Sequence, residues 1–242
     1  LAAIGQHDYF VSPRIMDFDK AVAAGTIQYI PDQCLSDFVD AVLNYRSEVP
    51  CPERAYAEML GSVIYYDFPI FDACAEPFEF FKHYDSEANT ISIAYKYGED
   101  EHQKLLAQFQ KAADEMLATV TPDMSDVEKA KNIYHALCTR MAYDDSALED
   151  LERKDSYYAY LHNSGVCITF ANVYNQLLTQ VGIQTTLATC DYDATMGHAW
   201  SVVTLGGEDY FCDPTFELPY DNGSGYVYFG MNFIFNAVGR IK

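Results

Sequence analysis

The chain has 242 residues, half of them apolar, with 20 Tyr and 15 Phe among them; this is the composition of a folded globular protein with ample core, and it excludes a disordered chain. Fifteen Lys and Arg against 36 Asp and Glu give a net charge of −21, spread along the sequence without an acidic tail, so the surface repels phosphate backbones and no nucleic-acid partner is expected. No apolar run approaches the ~18 residues of a membrane-spanning helix, so no membrane span is expected.

The chain opens on Leu1 without an initiator Met, which points to a removed leader or upstream segment; export or a cell-surface location is the expectation, with a cytoplasmic location as the alternative. Seven cysteines stand at 34, 51, 74, 138, 167, 190 and 212. None forms a C-x-x-C pair, so no structural zinc site is expected. The odd count suits one reactive thiol plus buried free thiols, or disulfides among the other six in an exported protein; the sequence leaves both open, and leaves the oligomeric state open too.

The first part of the chain reads as mixed helix and strand. Pro52 stands at a plausible first helical position, with Ala55, Met59 and Val63 following at helical spacing. The run Phe78–Tyr84 reads as a strand. After the turn-like 85–89 segment, Ile91, Ile93, Tyr95 and Tyr97 alternate with smaller or polar residues, completing a hairpin. A helix follows from Glu99 to Val120, carrying Leu105, Leu106, Phe109, Ala112, Ala113, Met116 and Leu117 on one stripe. Ser125-Asp126-Val127-Glu128 has the capping-box form and opens another helix running to Ala142. Cys138 lies on its apolar stripe and reads as a core residue.

A third helix begins at Cys167, with Phe170, Val173, Tyr174, Leu177, Leu178 and Val181 as its buried face and Gly182 as its stop. A strand starts near His198, the Gly206-Gly207 pair reads as a hairpin turn, and Tyr210-Phe211-Cys212 is the returning strand, closed by Pro214. Thiol, imidazole and carboxylate thus arrive in the order Cys167, His198, Asp213, each at the end of an element. A helix N-terminus favours thiolate and offers amides to an oxyanion. Pairing about the glycine turn sets residue 200 opposite residue 213, which brings Asp213 within a neighbour's reach of His198. That is a nucleophile, its base and the group that orients the base. Glycine at 165 lets the chain turn sharply before the helix and leaves room for an acyl group. Each piece also has a plain reading: helix-start cysteines and strand histidines are commonly structural, and Asp before Pro is a turn former.

Ser164-Gly165-Val166-Cys167-Ile168-Thr169-Phe170-Ala171, followed by Leu177-Leu178 and Val181-Gly182-Ile183, resembles the nucleophile helix of the transglutaminase-like superfamily. Gly197-His198-Ala199-Trp200-Ser201-Val202-Val203 and Tyr210-Phe211-Cys212-Asp213-Pro214-Thr215-Phe216 resemble its histidine and aspartate segments, and Met141-Ala142-Tyr143-Asp144 and Tyr158-Ala159-Tyr160-Leu161 are similar to upstream family features. The resemblance covers residues 126–217; Asp67-Phe68-Pro69-Ile70-Phe71 and the 91–97 strand resemble an accessory region of some bacterial members. It implies an α+β, papain-like fold, a nucleophile helix packed on an antiparallel sheet. An accessory region over residues 1–97 would precede a catalytic domain over 98–242. It implies a Cys167–His198–Asp213 triad, with Tyr158, Thr169 and Trp200 as weaker candidates for substrate or oxyanion contact. Two positions depart from the family pattern: Thr169 stands where glycine is usual, and Ser201 where asparagine follows His-Ala-Trp.

The function so implied is acyl transfer or hydrolysis at a carboxamide or peptide bond through a thioester, acting on a protein or peptide substrate without cofactor or metal. The rival from a different class is a catalytically silent surface-binding or structural module that keeps the fold. A metal hydrolase through Cys190, His198 and Cys212 lacks a local ligand pair, and no EF-hand loop for calcium is present.

Overall fold

In a computed structural model of the protein, residues 32–67, 74–149, 156–191 and 197–231 are described. The chain divides into two compact units between Ala107 and Gln108, whereas the sequence reading divides it at 97/98. Most of the Asp67–Phe71 segment singled out above lies outside the described residues.

In the first unit, helix α1 (Asp32–Leu43) buries Phe38, Ala41 and Val42. Strand β1 (Glu48–Pro50) pairs with β3 (Thr90–Ser92), which also pairs with β2 (Tyr84–Asp85), giving an antiparallel order β1-β3-β2. Helix α2 (Arg54–Asp67) carries the expected 55/59/63 spacing and begins two residues after Pro52. The strand expected over 78–84 is a correction: residues Pro77–His83 form a 3₁₀ helix, and only Tyr84 continues into a strand. Pro77 fixes a helical φ at the first position, Glu76 before it turns left-handed at φ 56°, and Phe80 is buried against Phe38 at 4.9 Å between ring centroids. Phe80 is therefore used for packing over a tight turn, not for strand alternation.

Helix α3 (Glu99–Leu117) spans the division between the units. In the second unit, α4 (Asp126–Arg140) starts with the expected box: Ser125 Oγ accepts from the Glu128 amide at 3.3 Å, and Glu128 Oε2 accepts from the Ser125 amide at 2.8 Å. It ends at Arg140 because the next residues change partner. Strand β4 (Ala142–Tyr143) runs parallel to β5 (Ser164–Gly165), with Ala142 N–H donating to Asn163 O and Asp144 N–H to Gly165 O. A short helix α5 (Ser156–His162) precedes β5.

Helix α6 (Cys167–Gln180) is the centre of this unit. The expected apolar face is buried from Phe170 to Leu178, and so are Ala171, Asn172, Asn175 and Gln176, so the helix is covered nearly all round there; Val181, its C-cap, is half-buried. Each of its large apolar side chains contributes about 1.5–3 kcal/mol by burial. Gly182 ends it at φ 81°, a conformation that favours glycine. Beside it lies an antiparallel sheet of β6 (Thr185–Asp191), β7 (Gly197–Leu205) and β8 (Glu208–Cys212), in that order. Strand β6 has no counterpart in the sequence reading. Leu205 pairs with Glu208 across Gly206 and Gly207, at φ 63° and 85°, the two positive values that a type I′ turn requires. Ser201 donates to the Ala171 carbonyl at 3.3 Å, which places α6 against the sheet face bearing Ala199, Ser201 and Val203.

Candidate active site

Cys167 is the first residue of α6, after an extended Val166 at φ −107° and ψ −179°. It is partly exposed, whereas the other free cysteines among the described residues, 34, 51, 74, 138 and 212, are buried. Cys138 lies in the core as expected, and burial pushes its thiol up; burial likewise pushes the Cys212 thiol up to about 12.

The first turn of α6 is shaped by one contact. Thr169 is fully buried, and its Oγ1 accepts from the Val166 amide at 3.3 Å; valine has no oxygen to reciprocate, so this is half of a capping box. Gly165 permits it. A Cβ at 165 would lie 2.7 Å from Thr169 Cβ and 2.8 Å from its Cγ2. Glycine is needed here for close approach, and the expectation of a sharp turn is replaced by a short parallel pairing with Tyr143.

The β7–β8 register continues from Ser201↔Cys212 to place residue 200 opposite residue 213, as the sequence pairing implied. His198 Nε2 and Asp213 Oδ2 lie 2.6 Å apart, both side chains buried. The other carboxylate oxygen, Oδ1, accepts from the Thr215 hydroxyl at 2.8 Å and the Phe216 amide at 3.1 Å. Asp213 is thus the N-cap of the short helix α7 (Pro214–Glu217) and the partner of the imidazole at once. His198 is also hydrogen-bonded to the Cys167 side chain. Burial lowers the imidazole's proton affinity, but the bonds to Asp213 and Cys167 and their negative charges outweigh it and raise His198 to about 9.

Aromatic rings complete the surroundings. Phe216 stacks face to face on the imidazole at 4.2 Å and 12°, and Trp200 lies at 5.8 Å and 27°. Tyr143, brought alongside by the β4–β5 pairing, stacks over Phe170. Burial and the nearby charges of Cys167 and Asp145 push its phenol up to about 12, against a hydrogen bond from the Cys167 backbone amide. The structure therefore brings Cys167, His198 and Asp213 together with Trp200. Tyr158 is half-buried and stacks on His162 at 4.0 Å in its own helix, while Thr169 is spent on the helix cap. The sequence reading assigned no role to Tyr143 or Phe216; both stand inside quoted motifs, and their proximity comes from strand pairing and from the turn after Asp213. Among the described residues no group of three or more His, Cys, Asp or Glu side chains is placed to hold a metal ion, and no helix is long and apolar enough to cross a membrane.

A thiol at a helix N-terminus, bonded to a histidine that an antiparallel strand delivers together with its carboxylate, defines the papain-like α+β class. Residues 110–214, under half of the chain, match the family model described as the transglutaminase-like superfamily. Solved structures similar to it include a transglutaminase, at 12% identity and a TM-score of 0.41, covering 52% of this chain and 40% of that one. Another is a candidate protease from Parabacteroides distasonis ATCC 8503, at 16% identity and a TM-score of 0.35, covering 50% of this chain and 27% of that one. The chain thus spans less than half the length of either. No curated protein matches the chain.

Proposed function

We propose that this chain is a cysteine-dependent acyl-transfer enzyme acting on a carboxamide or peptide bond of a protein or peptide, with residues 98–242 as its catalytic part. One observation carries the reading: His198 is bonded both to Asp213 and to a partly exposed thiol at a helix N-terminus. A histidine raised to about 9 is an imidazolium at neutral pH, a proton donor held beside the attacking sulfur.

In the first half-reaction Cys167 Sγ attacks the carbonyl carbon and forms a C–S bond. The oxygen takes the negative charge, facing the α6 amides. Tyr143, whose hydroxyl is held at the Cys167 amide, supports a further donor there. The C–N bond then breaks as the imidazolium passes its proton to the departing amine, leaving a thioester. In the second half-reaction neutral His198 takes a proton from water or from an acceptor amine, which attacks the thioester and releases the thiolate. Water gives hydrolysis and an amine gives transamidation. Asp213 keeps the imidazole oriented through both.

The silent-module alternative rests on the two departures, Thr169 and Ser201, and on the tyrosine-rich N-terminal half as a recognition face. Both side chains are fully buried and engaged with backbone groups of α6 and its N-cap, which supports reading them as packing changes that leave the reacting groups in place. Turnover of a glutamine-peptide library by the native protein, read by mass spectrometry, tests the proposal. The expected result is product that is lost in Cys167→Ala; turnover undiminished by that change refutes it.

A further inference from the structure

Behind the His198–Asp213 pair stands a second carboxylate that the reaction described above does not use. Glu217, the last residue of α7, is fully buried. Its Oε2 accepts from the Tyr228 amide at 2.7 Å and its Oε1 from the Val227 amide at 3.2 Å. The Tyr134 hydroxyl lies 3.3 Å from Oε2 and donates at 2.8 Å to the Asp213 carbonyl. The segment anchored on Glu217 returns to the pair twice. Tyr228 O accepts from the Asp213 amide at 2.9 Å, and the Tyr228 ring packs edge-on against Phe216, the ring stacked on His198.

A buried carboxylate needs donors, and two amides plus a shared hydroxyl supply them. The chain from 218 to 228 is wrapped closely around it: a Cβ at Gly225 would lie 3.2 Å from Glu217 Oε1, and one at Gly223 would lie 2.8 Å from Cys138 Cβ. The groups facing Glu217 that can titrate are Tyr134 and Cys138 from α4, Tyr226 from the segment after α7, and Asp213. Burial pushes up the three neutral ones, Tyr134, Cys138 and Tyr226, so Tyr134 stays a donor.

We propose that Glu217 is a positioning residue that holds the Asp213 backbone and the Phe216 ring against His198 through residues 227–228 and Tyr134. The inference rests on the reading of His198 and Asp213 as a working pair, and it deepens that reading. Glu217→Gln keeps the side-chain volume but puts an amide donor where one of the two carboxylate oxygens accepts, so one of the two backbone donors loses its acceptor. It also removes a negative charge behind the pair. Both effects weaken the protonated imidazole, so they act in the same direction.

The test is a proton–nitrogen NMR titration of His198 in the native protein, in Glu217→Gln and in Tyr134→Phe, alongside the kinetics of each. The expected result is a His198 midpoint lowered by about one pH unit in Glu217→Gln, with kcat reduced on the order of tenfold and KM unchanged. Tyr134→Phe, which removes only the shared hydroxyl, shifts the midpoint the same way by less, and decides the matter alone if the glutamine variant does not fold. Midpoints unmoved in the folded variants overturn the inference, even where thermal stability falls. A native protein without turnover whose midpoint still shifts would refute the proposed activity while leaving the positioning role of Glu217 standing.

Discussion

Asp213 gives one carboxylate oxygen to His198 and the other to the turn that follows it. Its Oδ2 lies 2.6 Å from His198 Nε2, and its Oδ1 caps α7 through the Phe216 amide and the Thr215 hydroxyl. Both oxygens are engaged, so the carboxylate cannot rotate without giving up one set of bonds. The imidazole is aimed at Cys167 by a side chain that is itself held at both ends.

That arrangement sets a pH dependence. His198 is raised above the ordinary imidazole value of 6.5 to about 9. A group raised on folding stabilises the fold fully below its unfolded value, and the contribution is lost as pH rises through the folded one. The window of loss is therefore about pH 6.5 to 9. For catalysis, kcat/KM is expected to hold through neutrality and fall near pH 9 as the imidazolium loses its proton. Asp213→Asn removes an anion that raises His198, so the alkaline limb moves to lower pH and activity drops by several orders of magnitude. A limb at the same pH in both proteins would show that Asp213 does not set the histidine.

The contact between Gly165 and Thr169 predicts a coupled pair of substitutions. Gly165→Ala places a methyl 2.7 Å from Thr169 Cβ, and overpacking of this kind costs about 1–3 kcal/mol. Thr169→Gly removes the obstructing side chain, at a helix-propensity cost of roughly 0.3–0.5 kcal/mol. The double variant is thus expected to recover part of the loss of Gly165→Ala. Urea denaturation of the four proteins measures the coupling; strict additivity would contradict the close approach.

Cysteine reactivity offers a direct comparison. Cys167 is partly exposed and bonded to His198, while burial pushes up the thiols of Cys138 and Cys212. With iodoacetamide at about pH 6–7, below the free thiol range, Cys167 is expected to alkylate at least tenfold faster than either, and His198→Ala to abolish the difference. Peptide mass spectrometry reads the rates. Equal labelling of Cys167 and Cys138 would contradict an activated thiol.

Helix α4 carries Tyr134, and its start is set by Ser125 and Glu128, whose carboxyl is held below its usual range by bonds from the Ser125 hydroxyl and amide. Ser125→Ala is expected to cost about 1 kcal/mol. Thermal unfolding checks this; an unchanged midpoint would mean that the box is dispensable.

Much of the site is legible in the sequence because it is set locally. The Gly206-Gly207 turn alone fixes the register that carries Asp213 to His198, and the apolar periodicity from Phe170 to Leu178 marks α6 and the place of Cys167 at its start. The rest depends on partners far away in the chain. Strand β6 is half polar, with Thr185, Thr186 and Thr189, and becomes a strand by pairing with β7. The Phe78–Tyr84 run alternates like a strand, but Pro77 and the packing of Phe80 on Phe38 turn it into a 3₁₀ helix. Gly165 reads as a turn residue until Thr169 is seen against it. Glu217 carries no local signal, because the amides that bury it belong to residues 227 and 228.

The central claim is that Cys167 forms a covalent acyl intermediate with His198 and Asp213 as its base and orienter. The most direct measurement is intact-mass and peptide-mapping spectrometry of the protein quenched in acid during turnover of an activated acyl-peptide. The account predicts an adduct with the mass of the acyl fragment on the peptide bearing Cys167, absent from Cys167→Ala and slow to form in His198→Ala. Product released at the native rate by Cys167→Ala, or an adduct on another cysteine, would contradict it.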